Sequence, residues 1–393
     1  MESILSKIPV LGDQIMRELD NHSIVKCKKV QRSWCGFINA EKILWFRMIQ
    51  SHIGDNNEFI TAWTKILRNA PVDFVTHVAL ATQQFQAKYC VHSGISPIHV
   101  ASTNGNADLF HQMMVKLAEK NPTAMKPTDT FGKYHPLLLA AYRGNYDVSK
   151  LIIANVDDKN PAMSDGFTSL CVAVQEGHFE ICELIIANVN DKNPARNDGC
   201  TPLHTAARNG HYEICGLIIA NVNEKNPASN DGVTPLHFAA EEGYFDICKL
   251  IIVNVNEKNP ARTDGATPLH LASQNGYYEI CEFIIANVDG KNPAKTDGVT
   301  PLHLAAQNGH FEICKLIITN VDDKNPANMD NGWTPLHYSA RYGHLEVFKF
   351  ISENVSDKNP KTKDGLTPQE LAHKWEYDFL IHATTAKLHM DEN

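Results

Sequence analysis

Asp297-Gly298-Val299-Thr300-Pro301-Leu302-His303-Leu304-Ala305-Ala306-Gln307-Asn308-Gly309-His310 is the stretch on which the reading of this chain turns. Its centre, Thr-Pro-Leu-His, occurs at residues 201–204, 234–237, 267–270, 300–303 and 334–337. The step is 33 residues, then 33, 33 and 34. A period of that size marks a stack of small similar units instead of one globular core. A single unit cannot bury its own apolar face, so neighbouring units must cover it. Stacks of this kind bind partners and seldom catalyse.

The unit from Asp297 to Met329 can be read residue by residue. Asp297-Gly298 is a turn signal, Thr300 a helix N-cap, and Pro301 fits the first helical position. Leu302, Ala305 and Ala306 share one helix face, and Asn308-Gly309 ends this short helix. A second helix begins near Phe311-Glu312 and carries Ile313, Cys314, Leu316, Ile317 and Ile318. That stripe is apolar enough to predict burial of the whole Leu-Ile-Ile trio. Asn320 is expected to end the helix in the left-handed conformation. Val321 to Met329, with Asn325-Pro326, forms the extended return.

The pattern Asp-Gly-x-Thr-Pro-Leu-His-x-Ala-Ala-x-x-Gly-His, followed by a Leu-Ile-Ile helix, resembles the ankyrin repeat. The resemblance implies an all-α fold: a solenoid of about nine helix-turn-helix units with short β-hairpin loops. Counted by the Thr-Pro position, the units open at Ser96, His135, Thr168, Thr201, Thr234, Thr267, Thr300, Thr334 and Thr367. Residues 91–383 form this array, with a flexible tail expected at 384–393. The first two units are degenerate, and Thr367-Pro368-Gln369-Glu370 reads as a polar cap. The chain departs from the family in one constant way. Where ankyrin units usually close the second helix with Gly-Ala, this chain has Asn-Val-x-x-Lys-Asn-Pro, as at Asn155-Val156 and Lys159-Asn160-Pro161.

The composition narrows the function classes. The net charge is −9 and no Lys/Arg-rich run is present, which argues against nucleic acid and anionic membrane as partners. No apolar run approaches the ~18–20 residues needed to span a bilayer, and the start is a poor secretory signal. A cytoplasmic protein is expected, with the nucleus open. Five of the ten cysteines, Cys182, Cys215, Cys248, Cys281 and Cys314, keep the 33-residue step. Stacked helices lie roughly 8–10 Å apart, too far for disulfides, so these are read as small buried hydrophobes. The recurrent His204, His237, His270, His303 and His337 are read as bonding to neighbouring backbone. No catalytic set, cofactor loop or metal-ligand cluster stands outside the periodicity, so no cofactor and no enzymatic activity is expected.

The first fifty residues differ. Ile8-Pro9, Ile15, Leu19-Asp20, Ile24, Val30-Gln31-Arg32-Ser33-Trp34 and Leu44-Trp45 recur at helical spacing and suggest two or three short helices. This stretch resembles the F-box. The resemblance implies that residues 1–50 dock on the Skp-type linker protein of a cullin ubiquitin ligase. Ile8, Pro9, Leu19, Ile24, Val30 and Trp34 map onto the family's docking and core positions, two roles that the sequence does not separate. The alternative is a helical cap on an ankyrin scaffold or inhibitor without a ubiquitin link. Residues 51–90, with Phe59, Trp63, Ile66-Leu67 and Phe74-Val75, are apolar enough to predict helices joining this piece to the array.

By the same resemblance a protein target would lie against the hairpin tips and first helices. Residues there vary from unit to unit while the stacking positions do not. A binding surface shows that contrast, and so does drift at solvated sites. The candidates for target contact are Arg208, Phe238, Glu241, Trp333, Tyr338, Arg341 and Tyr342, because aromatic and arginine side chains dominate interface hot spots.

Overall fold

The computed structural model describes residues 135–374, together with Ser102, Gly105, Ala107, Asp108, Phe110 and His111. The F-box-like segment 1–50, the joining segment 51–90 and the tail 384–393 lie outside the described residues, as does the unit opened by Ser96 apart from those six positions. The chain divides into two compact units between Asp191 and Lys192.

The first unit contains α1 (Pro136–Arg143), α2 (Tyr146–Asn155), α3 (Ser169–Gln175) and α4 (Phe179–Asn188). The second contains α5 (Pro202–Asn209), α6 (Tyr212–Asn221), α7 (Pro235–Glu242), α8 (Phe245–Ile252), α9 (Pro268–Asn275), α10 (Tyr278–Asn287), α11 (Pro301–Asn308), α12 (Phe311–Asn320), α13 (Pro335–Arg341), α14 (Leu345–Asn354) and α15 (Pro368–Lys374). Odd and even helices pair within each repeat. Within each compact unit, odd helices pack on odd and even on even, as a helix-turn-helix stack requires. The connecting loops contain turns, and among the described residues only one isolated bridge, Ala162 with Thr168, has β character. The expected β-hairpins are therefore hairpin turns: Arg196 N–H donates to the Cys200 carbonyl at 2.8 Å and Gly199 N–H to that of Arg196 at 2.9 Å.

The repeated Thr-Pro-Leu-His is the fastening of the second unit. Thr267 N–H donates to Nδ1 of His270 at 3.1 Å, so His270 fills the place that Glu or Gln takes in a capping box. That bond leaves the ring proton on Nε2, which donates to the Val299 carbonyl of the next repeat at 3.2 Å. His204, His237, His303 and His337 repeat the arrangement, reaching Val233, Ala266, Trp333 and Leu366 at 3.0 to 3.3 Å. The imidazole thus joins its own helix start to its neighbour's turn, which the sequence reading anticipated in kind. In α15 the position is Glu370, and its carboxylate accepts from Thr367 N–H at 2.7 Å, closing the box locally.

The Asn-Val-x-x-Lys-Asn-Pro departure has a physical account. Asn320 stays helical and is followed by Val321 in extended conformation, so it does not take the left-handed role. Its Nδ2 instead donates to the Leu316 carbonyl four residues back at 2.9 Å, satisfying an acceptor that the helix end leaves open. Asn155, Asn188, Asn221, Asn254, Asn287 and Asn354 do the same. The second asparagine serves the next helix start. Asn292 Oδ1 accepts from Leu302 N–H at 3.0 Å, and Asn160, Asn193, Asn226, Asn259 and Asn325 repeat it.

The even helices from α4 to α12 each bury three Ile residues and a Cys: in α10, Ile280, Cys281, Ile284 and Ile285 are all buried, while α2 has Val148 and Ser149, and α14 Val347 and Phe348, at the first two of these positions. The leucine of Leu-Ile-Ile is an exception to expectation. Leu184, Leu217, Leu250 and Leu316 are half-buried, because they sit at the edge of the stripe that faces the neighbouring helices. Burial pushes the thiols of Cys182, Cys215 and Cys281 up to about 12, as fits inert core residues.

Two outcomes follow from this packing. Ile285 is 3% exposed, and Ile285→Asp forfeits roughly 1.5–3 kcal/mol of burial and places a carboxylate in the apolar layer. Circular dichroism should show lost helicity and a lower, broader melt; an unchanged melt would sink the assignment of that face. Burial also holds His237, His270 and His303 down to about 4, below the usual 6.5. The unfolded chain therefore binds more protons between these values. Protonating these buried rings costs stability that is intact above pH 6.5 and is lost as pH falls towards 4, on the order of 3 kcal/mol each. His270→Gln should keep the capping box, lose the Val299 bond at a cost of about 1 kcal/mol at neutral pH, and melt with a smaller acid dependence than wild type. An acid dependence identical to wild type would contradict this role for His270.

Candidate partner-binding surface

The residues chosen from sequence fall into two groups on the second unit. Arg208, exposed at the end of α5, lies with its guanidinium over the Phe238 ring of α7 at 5.3 Å. Phe238 is half-buried, and the His204 ring meets it edge-on at 6.2 Å. Glu241 follows Phe238 one turn later on α7 and is exposed, while its backbone carbonyl accepts from Asn275 Nδ2 at 2.7 Å. The first group is thus a stacked cation on α5 and an exposed carboxylate on α7.

The second group gathers around α13. Trp333 precedes this helix and meets Tyr338 edge-to-face at 5.3 Å. Tyr338 also stands edge-to-face against the buried His303 ring at 5.6 Å. Its hydroxyl accepts from Asn328 Nδ2 at 3.2 Å, while Asn328 Oδ1 accepts from Trp333 N–H at 3.1 Å. Side chain and turn therefore hold each other, and burial pushes the Tyr338 hydroxyl above its ordinary pKa. Arg341 is half-buried with its guanidinium 5.4 Å from the Tyr342 ring, and Tyr342 is 42% exposed. The two groups do not touch: α9 and α11 stack between α7 and α13. The other six candidates, Ile8, Pro9, Leu19, Ile24, Val30 and Trp34, lie outside the described residues.

The family model for ankyrin repeats, built as three copies, matches residues 98–194, 137–229, 170–259, 217–297 and 269–364. Together these matches cover more than half of the chain. The chain belongs to the ankyrin-repeat family. No curated protein matches it. The family match covers none of residues 1–97. Ankyrin repeats are protein-protein interaction scaffolds, and this array provides one. Among the described residues, no helix is long and apolar enough to cross a membrane and no group of His, Cys, Asp or Glu is placed to hold a metal ion.

The ankyrin surface also holds residues that sequence reasoning passed over. The residue after the second glycine of a repeat, His178, Tyr244, Tyr277, His310 or His344, carries a ring that lies on the glycine of the preceding repeat; in the repeat of Gly144 the position is Asn145. A Cβ added to Gly243 would stand 2.5 Å from the Tyr277 ring, and one on Gly276 would stand 2.7 Å from His310. These glycines have φ of +84°, so both conformation and space exclude a side chain. His310 Nε2 bonds the Gln274 carbonyl at 3.0 Å and His344 Nε2 that of Gln307 at 2.9 Å. A His or Tyr recurs at that position at steps of 33 or 34 residues, but the sequence does not show that it covers a glycine. The hairpin tips carry ion pairs as well: Arg262 with Asp264 at 2.6 Å and Lys295 with Asp297 at 3.2 Å.

Tyr338→Phe keeps the ring contacts and loses only the Asn328 bond, at an expected cost of about 1 kcal/mol. Tyr338→Ala loses both, and ring packing of this kind adds about 0.5–1.5 kcal/mol beyond area burial. Urea denaturation should therefore rank wild type, then Phe, then Ala. Equal stability of all three would remove Tyr338 as the prop of the Trp333 turn.

Proposed function

We propose that this chain is a substrate receptor of a Skp-cullin-F-box ubiquitin ligase. Residues 1–50 dock on the Skp-type linker protein through the face that carries Ile8, Pro9, Leu19, Ile24, Val30 and Trp34. The ankyrin array holds a protein target against its tips and odd helices. The chain performs no bond chemistry; it supplies proximity, holding target lysines near a ubiquitin-loaded enzyme. We place it in the cytoplasm, with the nucleus open.

The observation that carries this reading is the joining of two patterns in one sequence. The order of Ile8-Pro9, Leu19-Asp20, Val30 and Ser33-Trp34 resembles an F-box, and a repeat array follows it. In that array the stacking residues are buried, while Arg208, Glu241 and Tyr342 stand exposed. An adaptor needs one end for a common machine and another for a particular target.

The test is a binding measurement with purified full-length chain and a Skp-type linker. Wild type should bind, and Pro9→Ala/Trp34→Ala should bind at least about tenfold more weakly, a loss of ~1.4 kcal/mol, with unchanged array helicity. If wild type shows no binding, the ligase assignment falls and an ankyrin scaffold or inhibitor remains.

A further inference from the structure

The helix α6 carries a glycine that its packing does not require. Gly216 lies inside the helix, where only proline is a poorer helix former. Its backbone is not left-handed, and a Cβ added there would meet nothing within 4 Å. Neither conformation nor crowding therefore excludes a side chain. In every other described even helix the same position is charged and exposed: Lys150, Glu183, Lys249, Glu282, Lys315 and Lys349. Long charged side chains lay their stems over apolar surface while keeping the head in water. On α6 that cover is missing, and the next residue on the same face is only Ala220.

Beside Gly216 lies a cleft of about 450 Å³, between α6, the loop after it and the last turn of α8. Clefts that hold ligands have volumes of roughly 300–1,000 Å³. Its apolar wall is Ile219, Ala220, Val222 and Leu250. Its polar edge is Asn223, Lys225 and Asn254, and among the described residues no carboxylate lines it. Lys225 Nζ donates to Asn254 Oδ1 at 3.3 Å. That acceptor is neutral, and an ammonium has two further protons to give. Lys295, by contrast, meets the carboxylate of Asp297. The carboxylate of Glu224, next in sequence to Lys225, accepts from Asn226 N–H at 3.1 Å within its own turn.

The other wall is irregular in the same place. α8 has eight residues where α6, α10, α12 and α14 have ten. Asn254 N–H donates to the Ile251 carbonyl at 2.9 Å, which tightens the end of α8 into a three-residue turn. Val253, next to Asn254, is 64% exposed, where the corresponding positions hold Ala220, Ala286, Thr319 and Glu353.

We infer that this cleft docks a protein segment that sets an apolar side chain into the recess at Gly216 and a neighbouring acidic side chain on Lys225. Charge selects the occupant: one ammonium on an otherwise uncharged, largely apolar cleft fits an apolar-acidic pair and disfavours a basic one. A segment fits better than a small molecule because the cleft is open to solvent along α6 and does not enclose a ligand. Where Gly216 has no side chain, a partner's main chain can approach the helix closely. This surface belongs to even helices, apart from the groups around Phe238 and Tyr338, and the inference is independent of the ligase reading.

The experiment selects a random-peptide display library on the full-length chain and counter-selects on Gly216→Lys, which restores the side chain that α8 carries. Lysine is the better helix former and has room, so this variant should melt no lower than wild type. The expected consensus pairs an apolar residue with a neighbouring Asp or Glu. By fluorescence polarisation, Gly216→Lys and Lys225→Glu should each weaken the selected peptide by about tenfold, and changing the peptide's acidic residue to Lys should restore binding to Lys225→Glu. No enrichment after counter-selection, a consensus without an acidic residue, or peptides indifferent to Lys225→Glu would overturn the inference. So would a Gly216→Lys variant that melts below wild type, because the glycine would then have a structural duty.

Discussion

One imidazole ring, pinned between the N–H at the start of its own helix and a carbonyl of the next repeat, is the constraint on which the rest of the second unit depends. It ties local capping to neighbour stacking, so neither forms fully without the other. A ring can do this only when neutral, with one nitrogen accepting and the other donating. Burial enforces that state, and His303 is 0% exposed. The same geometry explains the surrounding choices. Pro301 lacks an N–H, so the helix start has one donor fewer to satisfy, and Asn292 takes care of the next one at Leu302. Ala305 and Ala306 keep the stacked odd helices close, and both are fully buried.

Because stacking is settled by residues that recur, the positions that do not recur are left to chemistry. Cys281 and Ile284 cannot vary without a cost to the core, whereas Glu241 and Gln274 bond the next repeat through backbone carbonyls that a changed side chain leaves in place, and Arg208 contributes its stacking on Phe238. The array is thus a ruler with interchangeable marks. Trp333 and Tyr338 are an intermediate case. Their rings support the turn through Asn328 and also form part of the surface, so a substitution there alters the turn and the face it presents together.

Much of this was legible in the sequence, for physical reasons that differ by residue. Thr300-Pro301 announced a helix start because an N-cap and a first-turn proline are local requirements. Gly309 announced a stop because φ of +76° excludes other residues. Asn320 misled, since its amide can either tolerate the left-handed conformation or bond backwards along the helix, and composition alone does not choose between them. Leu316 misled because an apolar stripe read as a string has no edge, whereas a stripe on a packed helix does. The ring ladder of Tyr244, Tyr277, His310 and His344 was unreadable for a different cause: its partner is a glycine one repeat away, and absence of a side chain leaves no trace of what occupies the space. Of the binding surface, the sequence showed which residues vary. Only the structure showed that Arg262 and Lys295 are held by Asp264 and Asp297, while Arg208 lies exposed over the Phe238 ring.

Within the second compact unit the repeat opened by Thr300 is a residue longer than its fellows, and how it absorbs the excess says something about inheritance. The His303 ring spans 30 positions to reach Trp333, where its counterparts span 29. The surplus is taken up at the tip, where Asn328 Oδ1 accepts from both Asn331 and Trp333 and the Asn331 carbonyl accepts from Lys363 N–H. A slip of a whole period copies every bond intact, since each reaches only the adjacent repeat; a slip of a single codon survives where a turn has polar side chains to fold it away. Genes for such arrays can therefore lengthen in large strides and drift in small ones, with the hairpin tips as the margin that tolerates error.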